Sequence, residues 1–401
     1  MHSLSPSLDV RLLVVAALFF TACADGLTPD TPVREDGVQP DLDPGVLLDP
    51  EPLDALPEVL DTPRVLALDN TPVDNPTTAE GAALGRALFY DVRLSKSETV
   101  ACASCHQQQH AFSDPAALSE GHEGGLTGRN SMSLVNVGFY APGAMFWDER
   151  AATLEEQVLM PIQDSTEMGM TLPEVEAVIG ADPAYETLFS AAFGDSEVTS
   201  DRVGSALAQF VRTLNSGDSP YDQGLLATGD PRQPFATLSA AENRGKALFF
   251  GRAGCAACHV AVGNPPPGAG GPPPQTAVFY LNGPANNGVD RGLPEDDLGV
   301  GGVTGDPADN GKMKSPSLRN VAVTGPYMHD GRFDTLEEVI DHYSDGVEAH
   351  PNLGVPLGVA GGVGPQVNMT DEEKEALVAF LRTLSDEEMV EDPRFSDPWV
   401  R

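Results

Sequence analysis

The sequence predicts a mainly α-helical protein of two tandem units, with long loops and little strand. Three observations lead there. A helical block, Gly85-Arg86-Ala87-Leu88-Phe89-Tyr90, recurs as Gly245-Lys246-Ala247-Leu248-Phe249-Phe250, and each copy runs into a Cys-x-x-Cys-His motif. Between the copies apolar residues recur at helical spacing, while the alternation that marks strands is scarce. A chain of 401 residues has room for about two domains of ordinary size.

In chain order, residues 1–23 read as an export signal. Arg11 precedes an apolar run, residues 12–20, that is too short to span a bilayer as a mature helix. Phe20-Thr21-Ala22-Cys23 resembles a bacterial lipobox, which would make Cys23 an acylated first residue and tether the protein to the outer membrane. Phe20 stands where Leu, Val or Ile is usual, and Ala22 with Ala24 offers ordinary signal cleavage instead. Residues 24–76, rich in Pro and Asp, read as a disordered tether. The first unit, residues 77–225, opens at Thr78-Ala79-Glu80 and is mostly helical over 154–214, with an amphipathic run at 202–214. The second unit, residues 235–385, contains a Pro- and Gly-rich surface excursion at 265–274. It ends on a helix over 371–384, capped by Thr370 with Glu373 three residues on. Residues 386–401 form a tail.

Hydrophobic content of 41% suits a packed soluble core, and only two Trp are present. A formal net charge of −37 argues against nucleic-acid binding and favours basic partners, with steering that weakens in salt. Of five Cys, Cys23 belongs to the signal and four belong to the two motifs, which leaves none for a structural disulfide. A periplasmic, oxidising location is therefore inferred from export rather than from disulfides.

The motifs fix the cofactor. Two cysteines three apart reach both vinyl positions of one haem as thioethers, and the adjacent His reaches its iron. A zinc site would need four ligands per centre, and a thioredoxin-like pair has no use for the His. Cys102, Cys105 and His106 thus attach one haem c and Cys255, Cys258 and His259 a second. His106 and His259 become the proximal iron ligands in two c-type cytochrome-like domains.

Longer motifs add a resemblance that runs from about residue 77 to residue 384. They include Phe112-Ser113-Asp114, Gly128-Arg129-Asn130-Ser131, Phe146-Trp147-Asp148, Leu154-Glu155-Glu156-Gln157 and Glu167-Met168-Gly169. The second half adds Lys314-Ser315-Pro316-Ser317-Leu318-Arg319-Asn320-Val321 and Pro326-Tyr327-Met328-His329-Asp330-Gly331. The chain resembles the bacterial dihaem cytochrome c peroxidase family, which also contains MauG. The resemblance implies a peroxidatic first haem, with Glu167 as the distal carboxylate, Gln157 as its companion and Pro161 on the same side. It implies that Trp147 carries electrons between the haems. His122 matches a histidine that blocks the first iron at rest, and His110 competes for that role. On the second haem the family's Met position is occupied by Tyr343, as in MauG-like members; His342, Met328, Met313 and Met369 are the alternatives. A calcium ion between the domains is implied through Asn130, Thr324 and Pro326. The family usually reads Trp-Asp-Gly-Arg where this chain has Trp147-Asp148-Glu149-Arg150.

Three functions follow as expectations. The first is reduction of hydrogen peroxide to water, with electrons from a small cytochrome c or cupredoxin entering through the second haem. The second is a MauG-like oxidase that modifies side chains of a substrate protein through high-valent iron. The 392–399 tail resembles that of dihaem proteins paired with copper-peptide-related partners. The third is a dihaem electron carrier or sensor, against which Glu167 and Gln157 argue, because a carrier needs no distal acid–base pair. Family members are often homodimers.

Overall fold

The glycine of the repeated block explains how each half is built. The helix carrying Gly85 and the helix carrying Gly245 each cross a later helix so closely that a side chain would not fit. A Cβ on Gly85 would lie 2.0 Å from the Ala206 carbonyl oxygen, and one on Gly245 would lie 1.8 Å from that of Ala376. One turn on, Phe89 meets Phe210 with ring centroids 5.1 Å apart, and Phe249 meets Phe380 at 5.2 Å. The same sequence block therefore makes the same helix crossing twice.

The structure, a computed structural model, describes residues 46–47, 69–259, 278–280, 283–292, 296–355, 357–359, 362–364 and 366–400. Helices α1 (Ala79–Phe89), α2 (Cys102–Cys105), α3 (Leu154–Gln157) and α4 (Met160–Gln163) belong to the first half. So do α5 (Leu172–Gly180), α6 (Pro183–Phe193) and α7 (Ser200–Thr213). Helices α8 (Pro220–Thr228), α9 (Ala240–Phe250), α10 (Val300–Thr304), α11 (Leu336–Asp341), α12 (Asp371–Arg382) and α13 (Glu387–Glu391) follow. Strand content among the described residues is two antiparallel pairs of two residues each: β1 (Val46–Leu47) with β4 (Trp399–Val400), and β2 (Gly358–Val359) with β3 (Gly362–Val363). The fold is mainly helical, with two tandem cytochrome-type domains. Helix α1 packs on α7 and α9 on α12. Thr78 caps α1 by accepting from Gly81 N, and Ser239 and Thr370 cap α9 and α12 in reciprocal boxes with Glu242 and Glu373.

Each half has its own apolar core, and a small buried cluster of Phe139, Tyr140, Val278 and Tyr280 joins residues of both. The described residues all fall within one compact unit.

Two segments differ from expectation. Residues 69–76, assigned to the tether by composition, are packed. Asn75 is buried, donates to Glu155 Oε1 at 2.7 Å, and accepts from Gln209 Nε2 at 2.8 Å. Its polar side chain reads as solvent-facing in sequence, yet it satisfies buried groups on α3 and α7. The tail is also fastened, to the first half. Trp399 Nε1 donates to Ala87 O at 2.9 Å, Tyr90 Oη to Phe395 O at 2.7 Å, and Arg86 Nε to Ser396 O at 2.7 Å. The expected signal and lipobox at 1–23, most of the tether and the excursion at 265–274 lie outside the described residues. Among the described residues no helix is long and apolar enough to cross a membrane.

Candidate haem sites

At the first site, α2 carries Cys102 and Cys105, and His106 follows at its end. A carbonyl only accepts, so His106 Nδ1 is the protonated nitrogen that donates to Phe112 O at 2.9 Å, leaving the Nε2 lone pair for a metal. Burial, the largest cause, lowers the His106 pKa and keeps the ring neutral, the form that ligates. The free thiols belong to no disulfide, and burial pushes Cys102 up to about 12.

Above these residues lies a pocket lined by both cysteines and His106. Phe89, Leu207 and Val211 supply its apolar wall, and Gln157, Pro161 and Glu167 face the same space as His106. A second, larger cavity, open toward Trp147, Arg150 and Lys314, is lined by the same His106, Gln157, Pro161 and Glu167. Free thiols, a neutral imidazole, an apolar wall and a small polar cluster fit an attached haem. Removal from solvent, reinforced by the negative charge of Asp164, raises the Glu167 carboxyl above its ordinary value; Arg150 partly opposes this.

The second site repeats the attachment. His259 Nδ1 donates to Phe279 O at 3.3 Å, and burial lowers its pKa to about 4. Burial pushes the Cys255 thiol up to about 12. Facing this pair is Tyr343, whose phenol is pushed up to about 12 by loss of solvent and then by Cys258 and Cys255, against a lowering by Asn287. Asn287 Nδ2 lies 3.4 Å from Tyr343 Oη and 3.4 Å from Met328 Sδ. His342 turns the other way: its Nε2 donates to Asn287 O at 3.1 Å and its ring packs on Phe333. Helix α11 stops at Asp341 and continues as a π-helical turn, His342–Gly346. Such turns are frequent at functional sites because they re-aim side chains. Met313 packs near Gly299, and Met369 belongs to the second core.

Sequence reasoning missed a second internal repeat. Residues 145–161 and 327–343 align without a gap: Phe146-Trp147-Asp148-Glu149-Arg150 with Met328-His329-Asp330-Gly331-Arg332, and Thr153-Leu154-Glu155-Glu156 with Thr335-Leu336-Glu337-Glu338. Both copies start on a matching antiparallel bridge, Met145 to Ala151 and Tyr327 to Phe333. Both carry left-handed backbone at Phe146 and Met328, with φ of 68° and 73°. In this register Pro161 and Tyr343 occupy the same position, as do Gln157 and Val339. The shared Asp, Arg and Leu-Glu-Glu residues were the available signal.

Trp147 lines the larger cavity together with His106. Its Nε1 donates to Asn130 O at 2.9 Å, its carbonyl accepts from Lys314 N at 2.7 Å, and its ring is 6.4 Å from that of His329. Asn130 is buried, its N donates to His329 O at 2.8 Å, and its Nδ2 donates to Ala116 O at 3.0 Å. Thr324 and Pro326 lie in bends of the loop that leads from the turn Val321–Val323 to His329. Among the described residues no group of three or more His, Cys, Asp or Glu is placed to hold a metal. His122 is not brought to the first cavity: its Nε2 donates to Ser165 O at 3.1 Å, and its ring fills the space where a side chain on Gly169 would sit. His110 faces Val323 O at 3.2 Å, also outside the cavity.

Two helical halves, each with a Cys-x-x-Cys-His motif whose histidine is oriented by a carbonyl of its own half, define a dihaem c-type cytochrome. The di-haem cytochrome c peroxidase signature matches residues 79–230 and a cytochrome c signature residues 242–385. The chain is 38% identical to the methylamine utilization protein MauG of Methylorubrum extorquens, over 79% of this chain and 81% of that protein. It is 34% identical to the cytochrome c551 peroxidase of Nitrosomonas europaea, over 77% and 81%. A crystal structure of a MauG-like protein associated with microbial copper homeostasis superposes with a TM-score of 0.69 at 37% identity, over 85% of this chain and 99% of that one. The chain belongs to the dihaem cytochrome c peroxidase and MauG family; it is an oxidoreductase with two haem groups.

Proposed function

We propose that the chain is an exported dihaem enzyme that reacts with hydrogen peroxide at the first site and, like MauG-like members, spends the oxidising equivalents on a partner protein. One observation carries this reading: the repeat position that holds Pro161 in the first half holds Tyr343 in the second. Proline offers no ligand atom, so the distal side of the first site stays open to a small oxidant. A tyrosine facing the Cys255 and Cys258 pair supports a closed, low-potential second site.

When bound, the haem supplies the iron at which the peroxide O–O bond is cleaved. Glu167 would take the proton from one peroxide oxygen and return it to the other as it departs, and its raised pKa suits both tasks. Gln157 orients the peroxide, and Phe89, Leu207 and Val211 exclude bulk water. Trp147, fixed by Asn130 O and Lys314 N, carries charge between the sites. Asn130 with the carbonyls of Thr324 and Pro326 would hold a calcium ion that ties the halves; oxygen ligands of this kind suit a hard cation. Cys23 anchors the periplasmic protein to the outer membrane.

A second reading has its own support. Met328 Sδ shares Asn287 Nδ2 with Tyr343, and a thioether ligand would instead favour peroxide reduction to water with electrons from a small cytochrome c or cupredoxin. Absorption and EPR spectra of the oxidised protein, followed by peroxide with and without one-electron reduction, separate the two. The MauG-like reading expects a His–Tyr signal and direct reaction of the resting protein. A His–Met signal, with turnover only after reduction, would overturn it.

A further inference from the structure

Glu149 occupies a backbone position built for glycine. Its φ is 56°, in the left-handed region, and its counterpart in the second repeat is Gly331 at φ 67°. A residue with a Cβ is disfavoured there, so its side chain must return something for the backbone cost. The carboxylate accepts a hydrogen bond from the Tyr140 hydroxyl. Tyr140 has no solvent exposure, and its ring lies 5.3 Å from that of Tyr280, which is 5% exposed. Lys314, also buried, sits with its Nζ 4.1 Å from the Tyr140 ring centre and is the other charged group facing the pair.

The location gives this pair a use. Lys314 and Met145, in contact at 3.6 Å, both line the larger cavity shared with His106. On the other side, Tyr280 follows Phe279, whose carbonyl holds His259. Tyr280 Oη also donates to Val135 O at 3.4 Å, next to Leu134 of the first cavity wall. Two buried tyrosines in tilted ring contact therefore bridge the surroundings of the two sites, apart from Trp147, and one of them has a carboxylate on its hydroxyl.

We propose that Tyr140, with Glu149 as its proton acceptor, is a redox-active tyrosine that stores one oxidising equivalent between the two haem sites. Tyr140 gives one electron to the site oxidised by peroxide, and its phenolic proton moves to the Glu149 carboxylate. An electron arriving from the second site through Tyr280 refills Tyr140, and the proton returns. Gly331 has no side chain, so the second repeat lacks this acceptor.

This proposal rests on the peroxide reaction of the preceding section, and the test keeps the two apart. Full-length holoprotein is mixed with one equivalent of hydrogen peroxide, with no donor, freeze-quenched and examined by EPR, while the haem absorption is followed in parallel. The expected result is an organic radical that narrows when ring-deuterated tyrosine is incorporated. It should be lost in Tyr140→Phe and in Glu149→Gln. Glu149→Gly, which suits the left-handed backbone and so folds without strain, should lose it too. Haem content and resting spectra should stay unchanged in all three. A radical that persists in Tyr140→Phe, or a wild-type absorption response with no tyrosyl signal, overturns the proposal. If peroxide leaves the haem absorption unchanged, the peroxide reading has failed instead. The tyrosine is then oxidised by flash photolysis with a ruthenium tris-bipyridine sensitiser, and absence of a Tyr140-dependent signal there overturns it as well.

Discussion

The two halves use one scaffold for two purposes, and the differences fall on a few side chains. Both cross a glycine against an alanine carbonyl, at Gly85 with Ala206 and at Gly245 with Ala376. Both orient a haem histidine with a carbonyl, and both enter the distal side from a left-handed residue, Phe146 or Met328. On that common frame the first half places Gln157 and Pro161 where the second places Val339 and Tyr343, and Glu167 completes the first cavity. Scaffold identity with site divergence means that reactivity is set locally, since a shared fold alone assigns no chemistry.

The largest break of this comparison is expected at Glu167. Glu167→Gln keeps the shape of the side chain and removes the proton acceptor, so the rate of reaction with peroxide should fall about 10²–10⁴-fold, the usual worth of general acid–base catalysis. Haem content and the second haem's spectrum should stay as in the parent. Stopped-flow absorption measures the rate, and an unchanged rate would make Glu167 a bystander on the cavity wall.

In the second half the corresponding test is Asn287, which contacts Tyr343 Oη and Met328 Sδ at equal distance. Loss of a partner that orients a metal ligand typically costs about 10–100-fold in activity or affinity. Asn287→Leu should therefore weaken turnover by that order and alter the second haem's EPR signal, leaving the first untouched. Tyr343→Met should raise the second haem's potential, because a thioether favours the reduced metal. A Tyr343→Met protein with an unmoved potential would show that the phenol never ligated.

Much of this was legible in the sequence, and the limits have physical causes. The thioether spacing of Cys102 with Cys105 and Cys255 with Cys258 is local chemistry, as is the Thr370 cap, so one short window suffices for each. The role of the repeated glycine was hidden because it depends on Ala206 and Ala376, more than a hundred residues away. The 145–161 and 327–343 repeat escaped because its aromatic and distal positions diverged, although Asp148 with Asp330 and Arg150 with Arg332 remained. Asn75 and Trp399 looked like tether and tail, since a polar or terminal residue gives no sign of the partner that buries it.

The scaffold half of the comparison can be tested at the crossings. Gly85→Ala and Gly245→Ala each force a methyl against a backbone carbonyl, which no rotamer change can relieve, so the helices must part. Overpacking of this kind costs on the order of 1–3 kcal/mol, and similar losses are expected in both halves by denaturant unfolding of the holoprotein. Markedly unequal losses would mean that one half, not the shared crossing, sets the stability.

The smallest effect expected is a shift along the pH axis in Asp164→Asn. Asp164 Oδ1 accepts from Thr166 N at 2.7 Å and Glu167 N at 3.2 Å, and asparagine keeps that oxygen while removing its charge. Burial is the larger cause of the raised Glu167 pKa and the Asp164 charge the next, so the substitution should lower the pKa part of the way toward its ordinary value. The peroxide reaction needs the ionised form as base, so its acid limb should move to lower pH. The same sign holds for stability. The folded state binds the Glu167 proton more tightly than the unfolded chain does. Its contribution is full below the ordinary Glu value of 4.5 and is lost as pH rises through the folded value, and in Asp164→Asn that contribution should be smaller and its loss complete at lower pH. Asp164 and Glu167 both belong to the first half, so the second haem's spectrum should titrate identically in parent and variant. A shift there, or none in the peroxide profile, would detach the pH dependence from Glu167 and remove the main functional difference between the two halves.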